Sequence, residues 1–265
     1  MIEFKDVTYT YFANTPFEKL ALNIPSLELS MGEYYGVLGP TGSGKSTFLK
    51  VLTHLLPINT GSITINETFD DIRKYFGFVF QQPEHQLFCE TVREEFEFSL
   101  NNFGVDKALW MDKTANALKL VGLSEDFLDK DPLVLSGGQK RRVAIASILA
   151  YEPRVLVLDE PTAGVDGLSK EILLDAFRSY HKQGHCIFLV SHDLNIINNE
   201  CSKAMSFKDG MLLNIGDPFE TIVSADVTLT PGLALLKDIK ASYPQISTQV
   251  SANNFQEIGK SYASK

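Results

Sequence analysis

Residues 39–47, GPTGSGKST, restrict the fold of this chain more than any other stretch. They lie between "EYYGVLG" (33–39), a short apolar run that reads as a strand, and "KSTFLKVLTHLL" (45–56), which reads as a helix. Gly39, Gly42 and Gly44 let the backbone curl tightly, and Pro40, Thr41 and Ser43 fill the positions between them. Successive N–H groups of such a curl converge on an anion, and the helix that follows adds its N-terminal partial charge. Lys45 is placed to reach β- and γ-phosphates, and the Ser46 hydroxyl to hold Mg²⁺, with Thr47 next along the helix. A strand feeding a helix in this way, with further strands alternating with helices along the chain, argues for a mostly parallel α/β sheet.

The rest of the chain fits that architecture. Strands are expected over 2–11, 20–29, 61–66, 76–80, 154–160 and 186–190, with two short ones near 203–215. "RVLVLDE" (154–160) is apolar almost throughout, as a strand buried on both faces should be. Helices are expected near 91–101, 107–121, 136–151 and 168–183, and the middle block of them reads as an inserted subdomain. "PGLALLKDI" (231–239) reads as one more helix in a weakly patterned tail, and the last dozen residues carry no periodic signal.

Composition narrows the function. The chain has 265 residues and a net charge of −9, which argues against a broad electrostatic attraction to nucleic acid or anionic lipid. Cys89, Cys186 and Cys201 are isolated, without metal-ligand or redox spacing, so reduced cysteines in a cytosolic protein are expected. No basic-then-apolar leader opens the sequence, and no apolar run is long enough to span a bilayer. Work at a membrane would therefore depend on another chain.

Three further stretches carry chemistry. "VLVLDEP" ends a buried strand with Asp159, placed to hold Mg²⁺, and Glu160, placed to polarise an attacking water. "FLVSHD" puts His192 at another strand end, within reach of a γ-phosphate or that water. The other histidines, His54, His85, His181 and His185, read as structural. "LSGGQKRRVAIA" begins a core helix with Ser136 as its cap, then Gly137 and Gly138, then Lys140, Arg141 and Arg142. Glycines cost about 1 kcal/mol each inside a helix and cations oppose its N-terminal charge, so this tip reads as a second anion site. The loop at 39–46 is expected to enclose the phosphates of its own nucleotide already. A second grip on phosphate fits best if it holds nucleotide bound by a facing chain.

In this order and spacing, "GPTGSGKST", "LSGGQ", "VLVLDEP" and "SHD" resemble the ATP-binding subunits of ABC transporters over residues 1 to about 220. The resemblance implies a RecA-like P-loop core with an antiparallel β-subdomain, a helical subdomain inserted at about 82–151, and a partly helical extension over 221–265. It implies that Ser136–Gln139 contact the ATP of the opposite subunit and that Tyr11 stacks on adenine. Gln81 would approach Mg²⁺ and report to the membrane partner, and Asp166 would meet the facing subunit. Gly167 stands where many relatives have proline. "TPFEKLAL", "QQPEHQLFCETV" and "PTAGVD" resemble, more narrowly, the second of the paired ATPases of energy-coupling-factor importers. Phe96 and Leu100 depart from that group's pattern.

That narrower likeness implies a heterodimer with a paralogous ATPase at the cytoplasmic face of the membrane. An integral membrane scaffold would be gripped through about 81–92, with Leu87 and Phe88 as apolar anchors. A membrane subunit that captures a vitamin would be reached only indirectly; in a related subgroup the cargo is cobalt or nickel. Soluble relatives that act on DNA or ribosomes carry a long coiled coil or two such modules, and this acidic chain shows neither.

Overall fold

The computed structural model describes residues 1–69 and 71–242. Nine strands form one sheet: β1 (Ile2–Tyr11), β2 (Lys19–Leu29), β3 (Tyr34–Leu38), β4 (Thr60–Ile65), β5 (Phe76–Val79), β6 (Val155–Asp159), β7 (Cys186–Val190), β8 (Lys203–Lys208) and β9 (Met211–Gly216). Their order is β4-β1-β2-β9-β8-β3-β7-β6-β5. The segment β8-β3-β7-β6-β5 is parallel, whereas β4-β1-β2 and the β8–β9 hairpin are antiparallel.

Nine helices accompany the sheet among the described residues: α1 (Lys45–Leu52), α2 (Ile72–Tyr75), α3 (Val92–Asn102), α4 (Trp110–Leu120), α5 (Gly137–Leu149), α6 (Gly167–Lys182), α7 (Leu194–Glu200), α8 (Pro218–Ser224) and α9 (Pro231–Ser242). None is long and apolar enough to cross a membrane.

Period-two alternation in the central strands divides the core. Tyr34, Leu38, Leu156, Leu158, Ile187 and Leu189 face one way, onto α3 to α9. Tyr35, Val37, Val155, Val157, Phe188 and Val190 face the other, onto α1 and the antiparallel strands. Both faces are buried, which is why β3, β6 and β7 read as unbroken apolar runs. Phe48 of α1 anchors the second face, its ring centroid 5.7 Å from Phe4 and 4.9 Å from Phe207. Phe96 and Leu100 are fully buried in the first core, so their departure from the related pattern fills space there.

Several boundaries differ from the sequence reading. The first helix stops at Leu52, because the Thr53 hydroxyl turns back onto the Leu49 carbonyl and His54 leaves at a φ of 58°. Helices α7 and α8 had no expectation behind them. Both are 7 residues long, too short for a periodic signal, and each is started by an aspartate cap, Asp193 and Asp217. The helix expected at 231–239 is present as α9; the patternless last dozen residues lie outside the described ones.

Candidate active site

The phosphate loop is built by close backbone approaches. After β3 the chain turns at Gly39, where a Cβ would stand 2.2 Å from the Phe207 carbonyl oxygen. It enters α1 through Gly44 at a φ of 105°, where a Cβ would meet the Ala21 carbonyl at 2.9 Å. Glycine is required at both points. The Gly210 N–H donates to the Ser43 carbonyl at 2.9 Å, and the Asn23 N–H to the Gly210 carbonyl at 2.8 Å, which ties the loop to β2 and the β8–β9 turn. Lys45 Nζ donates to the carbonyls of Gly39 (2.8 Å) and Pro40 (2.9 Å), so its ammonium lies across the mouth of the curl. Burial lowers the Lys45 pKa, with Glu160 and Asp159 pulling it back up.

Parallel register brings the other groups alongside. Val37 pairs with Val190, and Val190 with Asp159. Gly39, His192 and Glu160 follow within two residues of these, at the carboxyl ends of three adjacent strands. Val79 pairs with Leu158, so Gln81 leaves the sheet at the same end, exposed. Glu160 is buried, has a φ of 55°, and its buried Oε1 has no hydrogen bond among the described residues; His192 Nε2 lies 3.5 Å away. Burial and neighbouring Asp159 raise the Glu160 carboxyl, while His192 and Lys45 oppose the shift. A strained carboxylate with an orphaned oxygen suits a group kept for a reacting water. The buried Ser43 Oγ also lacks a hydrogen-bond partner among the described residues. A glycine cradle, an ammonium and unpartnered oxygens fit a nucleoside triphosphate and its divalent ion.

A cleft of about 350 Å³ runs from this loop past Ser46 and Thr47 to Tyr11, Leu20, Asp209 and Gly210. The Tyr11 hydroxyl hydrogen-bonds Thr47 Oγ1 at 3.2 Å, which holds its ring beside the loop. None of Ser136–Gln139 lines that cleft, nor the neighbouring one beside His192.

The α5 tip carries a reciprocal cap. Ser136 Oγ accepts from the Gln139 N–H at 3.3 Å, and Gln139 Oε1 accepts from the Ser136 N–H at 3.0 Å. Gly138 is packed tightly: a Cβ there would meet Ser169 Oγ at 2.8 Å, with Asp166 Oδ2 at 3.6 Å. Asp166 caps α6 by accepting from the Ser169 N–H at 2.9 Å, so its carboxylate has a role inside the chain. Gly167 is the first residue of that helix.

Arg141 and Arg142, two of the three cations that follow the glycine tip, are engaged within the chain. Arg141 is buried, with its guanidinium on Glu84. Arg142 donates to the carbonyls of Val121 and Gly122 at the end of α4, where a cation suits the helix dipole. That leaves the Ser136 hydroxyl, the glycine N–H groups and the helix dipole as the candidate phosphate grip expected from the sequence.

Sequence reasoning also missed the groups that shape the neighbouring loops. Buried Glu95 accepts from the N–H groups of Phe88 and Cys89 and fixes the turn before α3. Lys170 pairs with Asp193 at 2.8 Å and fastens α6 to the turn after His192. Phe88 is 66% exposed, whereas Leu87 is half-buried against the core. His181 and His185 have structural roles, with ring nitrogens on backbone carbonyls.

A phosphate loop heading α1, acidic and histidine groups on adjoining strand ends, and a capped glycine tip on a separate helix define an ATP-binding cassette. The family model described as ABC transporter matches residues 22–163. Energy-coupling factor transporter ATP-binding protein EcfA2 of Streptococcus sanguinis (strain SK36) is 43% identical over 235 residues, 85% of this chain and 84% of its own. The chain thus belongs to the ABC transporter family, among its energy-coupling factor ATP-binding proteins, and is an ATP-hydrolysing subunit. Solved relatives agree. cbiO1 of Clostridium perfringens, part of the ABC transporter complex cbiONQ, superposes with a TM-score of 0.74 at 29% identity, covering 92% of this chain and 96% of its own. The ATP-binding cassette MJ0796, in a dimeric post-hydrolysis state bound to ADP and Pi, gives a TM-score of 0.71 at 30% identity over 82% and 99%.

Proposed function

We propose that the chain is one of two paralogous ATPases that drive an energy-coupling factor importer from the cytoplasmic face of the membrane. ATP bound between two such subunits closes the dimer, and hydrolysis reopens it. That movement is passed to an integral membrane scaffold and through it to a membrane subunit carrying a vitamin or similar micronutrient. Residues 1–220 form the cassette, with about 82–151 as its inserted helical part and 221–265 as an extension.

Tyr11 stacks on the base, while residues 39–47 and Lys45 hold the phosphates. Ser46, Asp159 and Gln81 hold Mg²⁺, which neutralises phosphate charge when bound. Glu160 accepts a proton from the attacking water and His192 orients the reacting phosphate. Ser136–Gln139, with Asp166, complete the site of the facing subunit. Residues 81–92, with exposed Phe88, meet the scaffold. One observation carries this reading. The groups for hydrolysis sit at the carboxyl ends of adjacent strands, whereas the second phosphate grip lies outside their cleft, so a single chain offers two separate halves. The MJ0796 cassette, dimeric with ADP and Pi, is a relative in such a state.

The test is Glu160→Gln in the assembled importer. ATP binding should persist while turnover and substrate uptake fall together by at least a hundredfold, as loss of a general base requires. Turnover and uptake at wild-type rates would refute the reading.

A further inference from the structure

Arg141 lies just over one turn beyond the glycine tip of α5 and is buried, 5% exposed. A buried guanidinium persists only where its fork of donors is satisfied. On one side Nε and Nη2 grip the Glu84 carboxylate at 2.9 and 2.8 Å, and Nη2 also donates to the Gln81 carbonyl at 3.3 Å. On the other side Nη1 donates to the carbonyls of Pro161, at 3.4 Å, and Ala163. Ala163 in turn donates its N–H to the Glu160 carbonyl at 3.2 Å, closing the turn that holds Glu160 at a positive φ. Burial works to raise the Glu84 carboxyl, but the guanidinium outweighs it and holds the group below its ordinary value. A continuous set of bonds thus runs from residues 81–84, through one side chain, to the backbone that shapes Glu160.

We propose that Arg141 is a positioning residue of the hydrolytic site, clamping the turn after β5 to the loop after Glu160. Displacement of residues 81–86 by a partner is thereby transmitted to Glu160. The partner's part rests on the reading of residues 81–92 given above; the clamp does not. Lysine cannot replace it, because three donors on a point charge cannot hold a carboxylate bidentately and reach the carbonyls of a second loop. The Glu84→Gln change keeps shape but removes the charge that orients the fork.

The experiment uses both ATPase chains assembled with the membrane scaffold. Arg141→Lys and Glu84→Gln should each lower kcat for ATP tenfold or more, with the nucleotide Kd within twofold of wild type. The double variant should lose no more than the worse single one, since both act through one contact. If Arg141→Lys does not fold, the isosteric Glu84→Gln carries the test. Wild-type kcat in a single variant, losses that multiply in the double, or a fall in kcat matched by weaker nucleotide binding would overturn the proposal. If the wild-type chains recruit no scaffold, the importer reading fails instead. The same variants are then read on the bare ATPase pair, where the same loss of kcat is expected.

Discussion

Gly137 offers a separation of stability from function. It is the first residue of α5, its φ is not left-handed, and a Cβ built on it meets nothing within 4 Å among the described residues. Nothing among the described residues requires glycine there. Gly137→Ala should therefore stabilise the fold, by up to about 1 kcal/mol from helix propensity and reduced unfolded-state freedom. For a chain of this size that is a rise of about 2–4 °C in the thermal midpoint. The same methyl group would stand over the N–H groups offered to a facing subunit's phosphate. Losing one charge-assisted hydrogen bond costs about 1.5–3 kcal/mol, or roughly 10–150-fold in rate. Thermal unfolding and steady-state ATP turnover of the assembled pair, measured on the same preparation, check both halves. A stabilised variant that turns over ATP at the wild-type rate would refute the reasoning.

Gly138→Ala should behave oppositely in the first assay, lowering the midpoint, because its Cβ would press on buried Ser169 at 2.8 Å. Phe48→Ala removes an aromatic at 0% exposure between Phe4 and Phe207 and should cost about 3–5 kcal/mol in denaturant unfolding. Tyr11→Phe keeps the ring and loses only the bond to Thr47, so ATP affinity in equilibrium binding should stay within about threefold, whereas Tyr11→Ala should weaken it about tenfold. The Glu84 carboxyl sits below its ordinary value of 4.5 in the folded chain, so its contribution to stability is present above that pH and lost as pH falls further. Thermal midpoints of Glu84→Gln should fall less steeply than wild type on acidification from pH 6 to below pH 4.

Much of this was legible in the sequence for identifiable physical reasons. The central strands announce themselves because both faces are buried, and the phosphate loop because its backbone tolerates only glycine at Gly39 and Gly44. The strand-end placement of Asp159, Glu160 and His192 followed from parallel order alone. Long-range use of side chains was not legible. Arg141 and Glu84 are 57 residues apart, and only the packing of the Pro83–Gln86 turn against α5 brings them together. The roles of Arg142, Glu95 and Lys170 were hidden for the same reason, since a charge that serves another loop looks like a solvated one. Short helices such as α7 and α8 left no periodicity, though their aspartate caps, and Pro218 at the head of α8, were local signals that could have been read.

The central claim is that each reaction centre is completed by two chains. ATP turnover per molecule, measured against the concentration of the ATPase chains while mass photometry reports monomers and dimers, tests it directly. Turnover should fall in proportion to the dimer fraction as the chains are diluted and vanish in the monomer. Constant turnover per molecule down to concentrations where only monomers remain would contradict the claim.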